Sequence, residues 1–285
     1  MGGKPREVKC LLLFILILSF SATSSWFLRS SLNYPTLRDY LGGPLPLGPL
    51  IIITFLLSFL VFYSLVKGRL SLLGPLIRVT SLIATYFSAQ LYCYIALSYL
   101  GYGLPSYAKP CLVMLIPLLI VPLTLKALGG KGTSRLLASL VTFYSVTLGS
   151  LIGLALSFSE LVTLVALASA IDIYSVFKGP ISRLVSLFSY SKGAEALLEG
   201  ALIPMGEVRV GAGDLIFYSM IIAHTYDAKP YSPLITLTAV SSILVGVYLT
   251  VRGLRRRRVL PALPLPASLS LSSIFLISAL THSIP

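Results

Sequence analysis

Apolar residues run through this chain in blocks too long for the core strand or helix of a soluble domain, and polar residues collect in the gaps between blocks. A helix needs about 20 largely apolar residues to cross a bilayer. Blocks of that kind, marked off by charges, Pro and Gly at their ends, predict nine spanning helices at 9–27, 47–66, 79–100, 110–128, 134–157, 159–177, 210–226, 233–251 and 261–281. A tight turn near Glu160 separates the fifth from the sixth. The pattern therefore predicts an all-α, polytopic membrane protein. The first block could be read as a secretory leader, because Lys4, Arg6 and Lys9 precede a leucine-rich core and Ser21 to Ser25 is a run of small residues. Its apolar stretch continues through Trp26, Phe27 and Leu28, which suits the interfacial anchor of a retained spanning helix.

The gaps also set a direction. With the N-terminus inside, the alternate loops on the inner side collect Lys4, Arg6, Lys9, Lys67, Arg69, Arg78, Lys126, Lys131, Arg135, Lys178, Arg183, Lys192, Arg209, Arg252 and Arg255 to Arg258. Only Arg29, Arg38, Lys109 and Lys229 remain outside. Cytoplasmic loops carry the excess of Lys and Arg, so the expected topology is N-terminus cytoplasmic and C-terminus outside, and losing or adding one span would scramble the sorting. The Arg255 to Arg258 run reads as the anchor after the eighth helix in preference to an anionic-lipid or partner site. The longest connection runs from 178 to 209.

Composition narrows the classes further. Of 285 residues 56% are hydrophobic and 11% charged, far from the balance of a soluble domain. The net charge of +13 would suit nucleic acid. The cations are spread over short loops with no basic domain and no aromatic-basic surface, which excludes that partner. Cys10, Cys93 and Cys111 are scattered without metal spacing, and His224 and His282 stand apart from other ligands, so the expectation is no metal and no cofactor. The three cysteines read as small apolar residues inside helices.

The candidate chemistry lies in the acids. Nine occur, and Glu7, Asp39, Glu160, Glu195, Glu199, Glu207 and Asp227 fall in loops or at helix ends. Asp172 lies within the sixth predicted helix and Asp214 within the seventh. A carboxylate at depth costs about 2.5–3.5 kcal/mol on insertion scales, and neither span contains a Lys or Arg to offset it. Counting the helical rise from Lys178 and from Arg209 puts the two acids about 9 Å and about 7–8 Å beneath the cytoplasmic edge. Antiparallel neighbours with acids at one level can bring the carboxyls together, and two carboxyls in contact share a proton. Such a pair suits aspartic proteolysis, in which an ionised Asp takes a proton from water while its protonated partner polarises the scissile carbonyl. It equally suits a proton or cation relay in a transporter. On these two residues alone both readings stand open.

Two further features sit at the same level. Gly211 and Gly213 precede Asp214, where missing side chains allow close approach of another backbone and where a helix start aims its positive end at the acid. Pro261, Ala262, Leu263 and Pro264, followed by Pro266, open the ninth predicted helix. Three prolines in six residues predict that Ala262 and Leu263 are irregular, which is tolerated at membrane depth where the backbone is buried in protein or lines a wet cavity.

The segment Ala170-Ile-Asp-Ile-Tyr-Ser-Val-Phe-Lys-Gly-Pro180, then Gly211-Ala-Gly-Asp-Leu-Ile-Phe-Tyr-Ser219, then Pro261-Ala-Leu-Pro264, resembles the presenilin-type intramembrane aspartyl proteases. That group includes presenilins, signal peptide peptidases and archaeal homologues. The overlap covers about residues 165 to 270; the first five helices agree in number and direction. The resemblance implies a nine-helix presenilin-like fold, Asp172 and Asp214 as catalytic acids, and Gly211, Gly213, Pro261, Ala262 and Leu263 as active-site and substrate-positioning residues. Lys178-Gly-Pro180, Phe217-Tyr-Ser219 and the N-in direction look more like presenilin than signal peptide peptidase. One departure is Ile171, where the family usually has tyrosine, with Tyr174 as a candidate substitute.

The resulting expectation is an intramembrane aspartic endopeptidase that cuts transmembrane segments of other proteins within the lipid bilayer. Residues 1–157 would form a scaffold with substrate access and residues 158–285 the catalytic part. The connection from 178 to 209 is shorter than in animal presenilins, which argues against self-cleavage and for an enzyme without accessory subunits. Short loops and the family's spread point to a prokaryotic cell membrane. The alternative, a proton- or cation-coupled transporter or leak channel, uses the same acids and gives no reason for Pro261-Ala-Leu263. A prepilin-peptidase-like enzyme also carries Gly-x-Gly-Asp, but it has fewer helices and a differently placed first acid.

Overall fold

The structure, a computed structural model, describes residues 4–32, 70–100, 108–128, 134–178, 201–205, 208–226, 233–254 and 260–280. The second predicted span, 47–66, lies outside them, as do the arginine run at 255–258, most of the connection from 178 to 209, and His282. The helices are α1 (Lys4–Leu32), α2 (Leu70–Leu100), α3 (Ala108–Leu118), α4 (Ile120–Leu128), α5 (Ser134–Ala155), α6 (Phe158–Phe177), α7 (Ala212–His224), α8 (Pro233–Leu254) and α9 (Pro264–Leu280). Strands β1 (Leu202–Met205) and β2 (Val208–Gly211) pair in a small sheet just before α7.

Several of these depart from the predicted spans. The predicted fourth helix is broken at Leu119 into α3 and α4, so the nine helices among the described residues correspond to eight of the nine predicted spans, the second lying outside them. Pro122 explains the break: it lacks the N–H that would reach the Leu118 carbonyl, and its ring crowds that carbonyl. The third span starts nine residues early, at Leu70. The seventh is a correction of a different kind. Its first two residues, Val210 and Gly211, belong to the strand Val208–Gly211, and the helix proper is only 13 residues. At the helical rise α7 is about 20 Å long, short of a bilayer's hydrocarbon thickness. The depth of Asp214 reckoned from Arg209 therefore does not hold, because an extended residue advances about 3.3 Å and not 1.5 Å.

By length and composition, five helices are able to cross a membrane: Cys10–Ser31, Cys111–Leu128, Arg135–Ala155, Phe158–Phe177 and Pro233–Leu254. With α7 and α9 as shorter apolar helices, the chain is an integral membrane protein. Large apolar side chains such as Leu16, Leu119, Leu167, Leu237 and Leu280 stay exposed, as a lipid-facing surface requires.

The chain divides into two compact units. The first combines Met1–Arg29, Ser145–Tyr190 and Ile203–Pro285, and the second Ser30–Tyr144 and Ser191–Leu202. Within the second, α2 packs on α3 and α4. Tyr86 donates its hydroxyl to the Met114 carbonyl at 3.2 Å, and the Tyr92 and Phe143 rings lie 5.5 Å apart.

The first unit is built on close backbone approach, the usual basis of helix association in lipid, where no hydrophobic drive exists between helices. Gly149 and Gly153 of α5 form a Gly-x-x-x-Gly step against α7. A Cβ at Gly149 would fall on the Ile216 carbonyl oxygen and 2.8 Å from the Ser219 Cβ, and one at Gly153 would fall on the Met220 backbone. Ser25 of α1 meets Ser150 of the same helix, hydroxyl to hydroxyl at 2.9 Å. Thus Ser21, Ser24 and Ser25 are buried packing residues in the middle of α1. Helices α8 and α9 pair antiparallel, with Ser242 against Ser273 at 2.8 Å, Ser270 donating to the Ala239 carbonyl at 3.3 Å, and Gly246 against Pro266.

Gly149→Ala should therefore cost about 1–3 kcal/mol through overpacking, and Gly153→Ala a similar amount. Gly213→Ala, whose Cβ meets nothing within 4 Å, should leave stability within about 0.5 kcal/mol. Thermal unfolding of the purified variants in lipid nanodiscs checks the ranking.

Candidate active site

Each element brings one part of the site. Helix α6 starts at Ser157, whose backbone N–H and hydroxyl both donate to Glu160, at 2.8 and 2.7 Å, and this box fixes the first turn. Four turns later the same helix presents Asp172, which is half-buried. Its neighbours Ile171 and Tyr174 are exposed, and the Tyr174 ring is 62% exposed, so it does not pack over the acid as a substitute tyrosine would.

Helix α7 follows directly from β2. Gly211 is the last extended residue, with φ −69° and ψ 140°, and serves as N-cap. Asp214 occupies the third helical position and reaches back, its Oδ2 accepting from the Gly211 N–H at 3.3 Å. Carboxylates belong at such a position, because the first turn leaves backbone N–H groups unsatisfied and carries the positive end of the helix dipole. The two glycines differ in use. A Cβ on Gly211 would press to 3.1 Å from Asp214 Oδ2, whereas Gly213 is exposed and opens onto empty space beside the acid.

The third part is the segment before α9. Residues 260–263 are non-helical, and α9 begins with Pro264 in its first position, where the missing N–H costs nothing. Leu263 precedes that proline and is held out of the α region by it; its carbonyl accepts the first helical bond, from Ala267 at 3.1 Å. Its N–H, left over from the helix, donates to Asp172 Oδ2 at 3.2 Å. The side chain of Leu263 is buried, while Pro261 and Ala262 are half-exposed.

Helices α6 and α7, which carry Asp172 and Asp214, pack against each other, and both pack against α9. All seven residues singled out in the sequence thus fall in one unit, gathered from α6, the β2–α7 junction and the segment before α9. The chain shares the fold of a presenilin family intramembrane aspartate protease. That solved structure is 20% identical in sequence, and the match covers 95% of this chain and 99% of the other with a TM-score of 0.60. No protein-family model matches the sequence, and no curated protein is significantly similar to it.

One side chain at this site has no place among the predicted site residues. Tyr218 is buried, 1% exposed, and donates its hydroxyl to the Ala262 carbonyl at 2.8 Å. The signal was available: Tyr218 is four residues after Asp214, so the two share a face of α7. The Gly149–Gly153 step that seats α7 was legible in the same way from its spacing in an apolar helix.

Among the described residues no group of three His, Cys, Asp or Glu could hold a metal. His224 stacks on Phe158 with ring centroids 5.7 Å apart. Cys10 is buried, Cys93 partly so, and Cys111 exposed, all within helices. What the site offers chemically is two carboxyls, a non-helical backbone segment and an open side at Gly213.

If that open side is wet, Gly213→Cys in a chain whose native cysteines are replaced by Ala should react with a charged, water-soluble methanethiosulfonate reagent. Ala212→Cys, at a buried neighbouring position, should react at least about tenfold more slowly, since only an accessible thiolate attacks. Mass spectrometry of the nanodisc-embedded protein reads both.

Proposed function

We propose that this protein is an intramembrane aspartic endopeptidase that hydrolyses peptide bonds within transmembrane segments of other membrane proteins. The observation that carries the reading is that the two acid-bearing helices meet one non-helical segment: Asp172 of α6 accepts from the Leu263 N–H, and Tyr218, one turn after Asp214 on α7, donates to the Ala262 carbonyl. The likeness of the fold to a presenilin family protease supports it. In this reading Asp172 and Asp214 are the catalytic acids. Gly211, Gly213, Pro261, Ala262 and Leu263 position the substrate, residues 158–285 carry the chemistry and residues 1–157 supply scaffold and access. Nine spans, an N-terminus in the cytoplasm of a prokaryotic cell and independence from accessory subunits complete the proposal.

The chemistry follows from two carboxyls that share one proton. The ionised one takes a proton from water as the oxygen bonds to the scissile carbonyl carbon, and the protonated one donates to the carbonyl oxygen, giving a gem-diol. A proton then passes to the amide nitrogen, the C–N bond breaks, and a carboxylic acid and an amine leave. A helical substrate must unwind first, because its carbonyls are otherwise bonded within the helix. The unwound strand is then able to pair with backbone at Ala262 and Leu263.

The decisive test uses the purified full chain in nanodiscs with a synthetic Leu/Ala transmembrane peptide carrying a central Gly-Gly pair, products being read by mass spectrometry. Asp172→Ala and Asp214→Ala should each lower cleavage on the order of 10³-fold or more, because half a dyad cannot carry both proton transfers. Wild-type activity should follow a bell-shaped pH profile whose two limbs belong to the pair. No cleavage by the wild type, together with proton or cation flux into proteoliposomes that either substitution abolishes, would instead establish the transporter.

A further inference from the structure

The Ala262–Leu263 peptide is held from both sides. A peptide group is planar and trans, so its C=O and the following N–H point in opposite directions. The C=O of Ala262 receives the Tyr218 hydroxyl at 2.8 Å, and the N–H of Leu263, in the same peptide plane, donates to Asp172 Oδ2 at 3.2 Å. Tyr218 belongs to α7 and Asp172 to α6, so a single peptide unit spans between the two helices that carry the acids. Its surroundings leave it few other restraints. Prolines at 261 and 264 remove the neighbouring N–H donors, the residues are outside any helix, and only Leu263 is anchored by a buried side chain. Rotation of this peptide about its flanking bonds would break both contacts together.

We propose that Tyr218 is a positioning residue for the site: its hydroxyl sets the plane of the Ala262–Leu263 peptide, and that plane presents the Leu263 N–H to Asp172. The inference rests on the proteolytic reading for its effect on rate, but not for the clamp itself. Tyr218 reaches the chemistry only through the peptide. Because it is seated one turn beyond Asp214 on the same face of α7, the position of one acid is passed to the other through two links, Tyr218 and the Ala262–Leu263 peptide. Full burial of the ring fixes the hydroxyl well enough for this, since a tyrosine has only two side-chain torsions to restrain.

The test is Tyr218→Phe, which deletes the hydroxyl and keeps the ring. In the peptide-cleavage assay kcat should fall about tenfold, the scale of a single misplaced catalytic group, with KM within about twofold of wild type and an unchanged thermal midpoint. Hydrogen–deuterium exchange gives a second readout that needs no activity. Between Pro261 and Pro264 the only exchangeable backbone hydrogens are those of Ala262 and Leu263. Both should exchange at least about tenfold faster in Tyr218→Phe and in Asp172→Ala, and at the wild-type rate in Ser242→Ala, which alters the α8–α9 pairing instead. Unchanged exchange in Tyr218→Phe overturns the clamp. Faster exchange with unchanged kcat, or a raised KM with unchanged kcat, overturns the positioning role. If the wild type cleaves nothing the proteolytic reading fails, and the exchange rates still decide whether the clamp exists.

Discussion

A carboxyl group set among apolar helices has to find its hydrogen-bond donors in the protein, because lipid supplies none and an unsatisfied polar group there costs several kcal/mol. This chain meets the demand with backbone. Asp214 takes the Gly211 N–H at the start of its own helix, and Asp172 takes the Leu263 N–H from a segment ninety-one residues further along the chain. Both donors exist only because a helix is interrupted or begins there. The local irregularities of the fold, an extended approach to α7 and a proline-rich approach to α9, are therefore the means by which two acids are accommodated. They are placed where the surrounding helices can enclose them.

The enclosing helices in turn depend on small residues. Gly149 and Gly153 let α7 sit directly on α5, and Gly246 admits Pro266 of α9 against α8. A side chain at any of these positions would displace a helix that carries, or lies next to, part of the site. Between α1 and α5, and between α8 and α9, serine hydroxyls add bonds across the interface that are short enough to be specific. Such contacts are worth only about 0.6 kcal/mol each on average in a membrane. Their contribution is to register the helices against one another more than to hold them together.

Much of this was legible in the sequence because hydrocarbon imposes strict patterns. Apolar blocks marked most of the helices, and Asp172 and Asp214 stood out because a charge in such a block is costly. Three prolines within six residues announced that Ala262 and Leu263 would not be helical, which is how they are found. Other features were hidden for definable reasons. Val210 and Gly211 continue the apolar run of α7 without a break, and only the pairing of Val208–Gly211 with Leu202–Met205 makes them the end of a strand. The break at Leu119 follows from Pro122, yet prolines are tolerated inside membrane helices often enough that the residue alone does not foretell a break. Tyr218 is one aromatic residue among sixteen tyrosines. Only the tertiary position of the Ala262 carbonyl distinguishes it.

Asp214 is both an acid of the candidate site and the side chain that fastens the beginning of its own helix. A capping group grips well only while it is free to accept, so any event that draws on this oxygen, whether a proton or an arriving water, also loosens the junction between strand and helix. In a helix of 13 residues one turn is a large part of the whole. Protonation of this oxygen would then be felt as a brief unbuttoning of the nearby backbone, and loss of the proton would fasten it again.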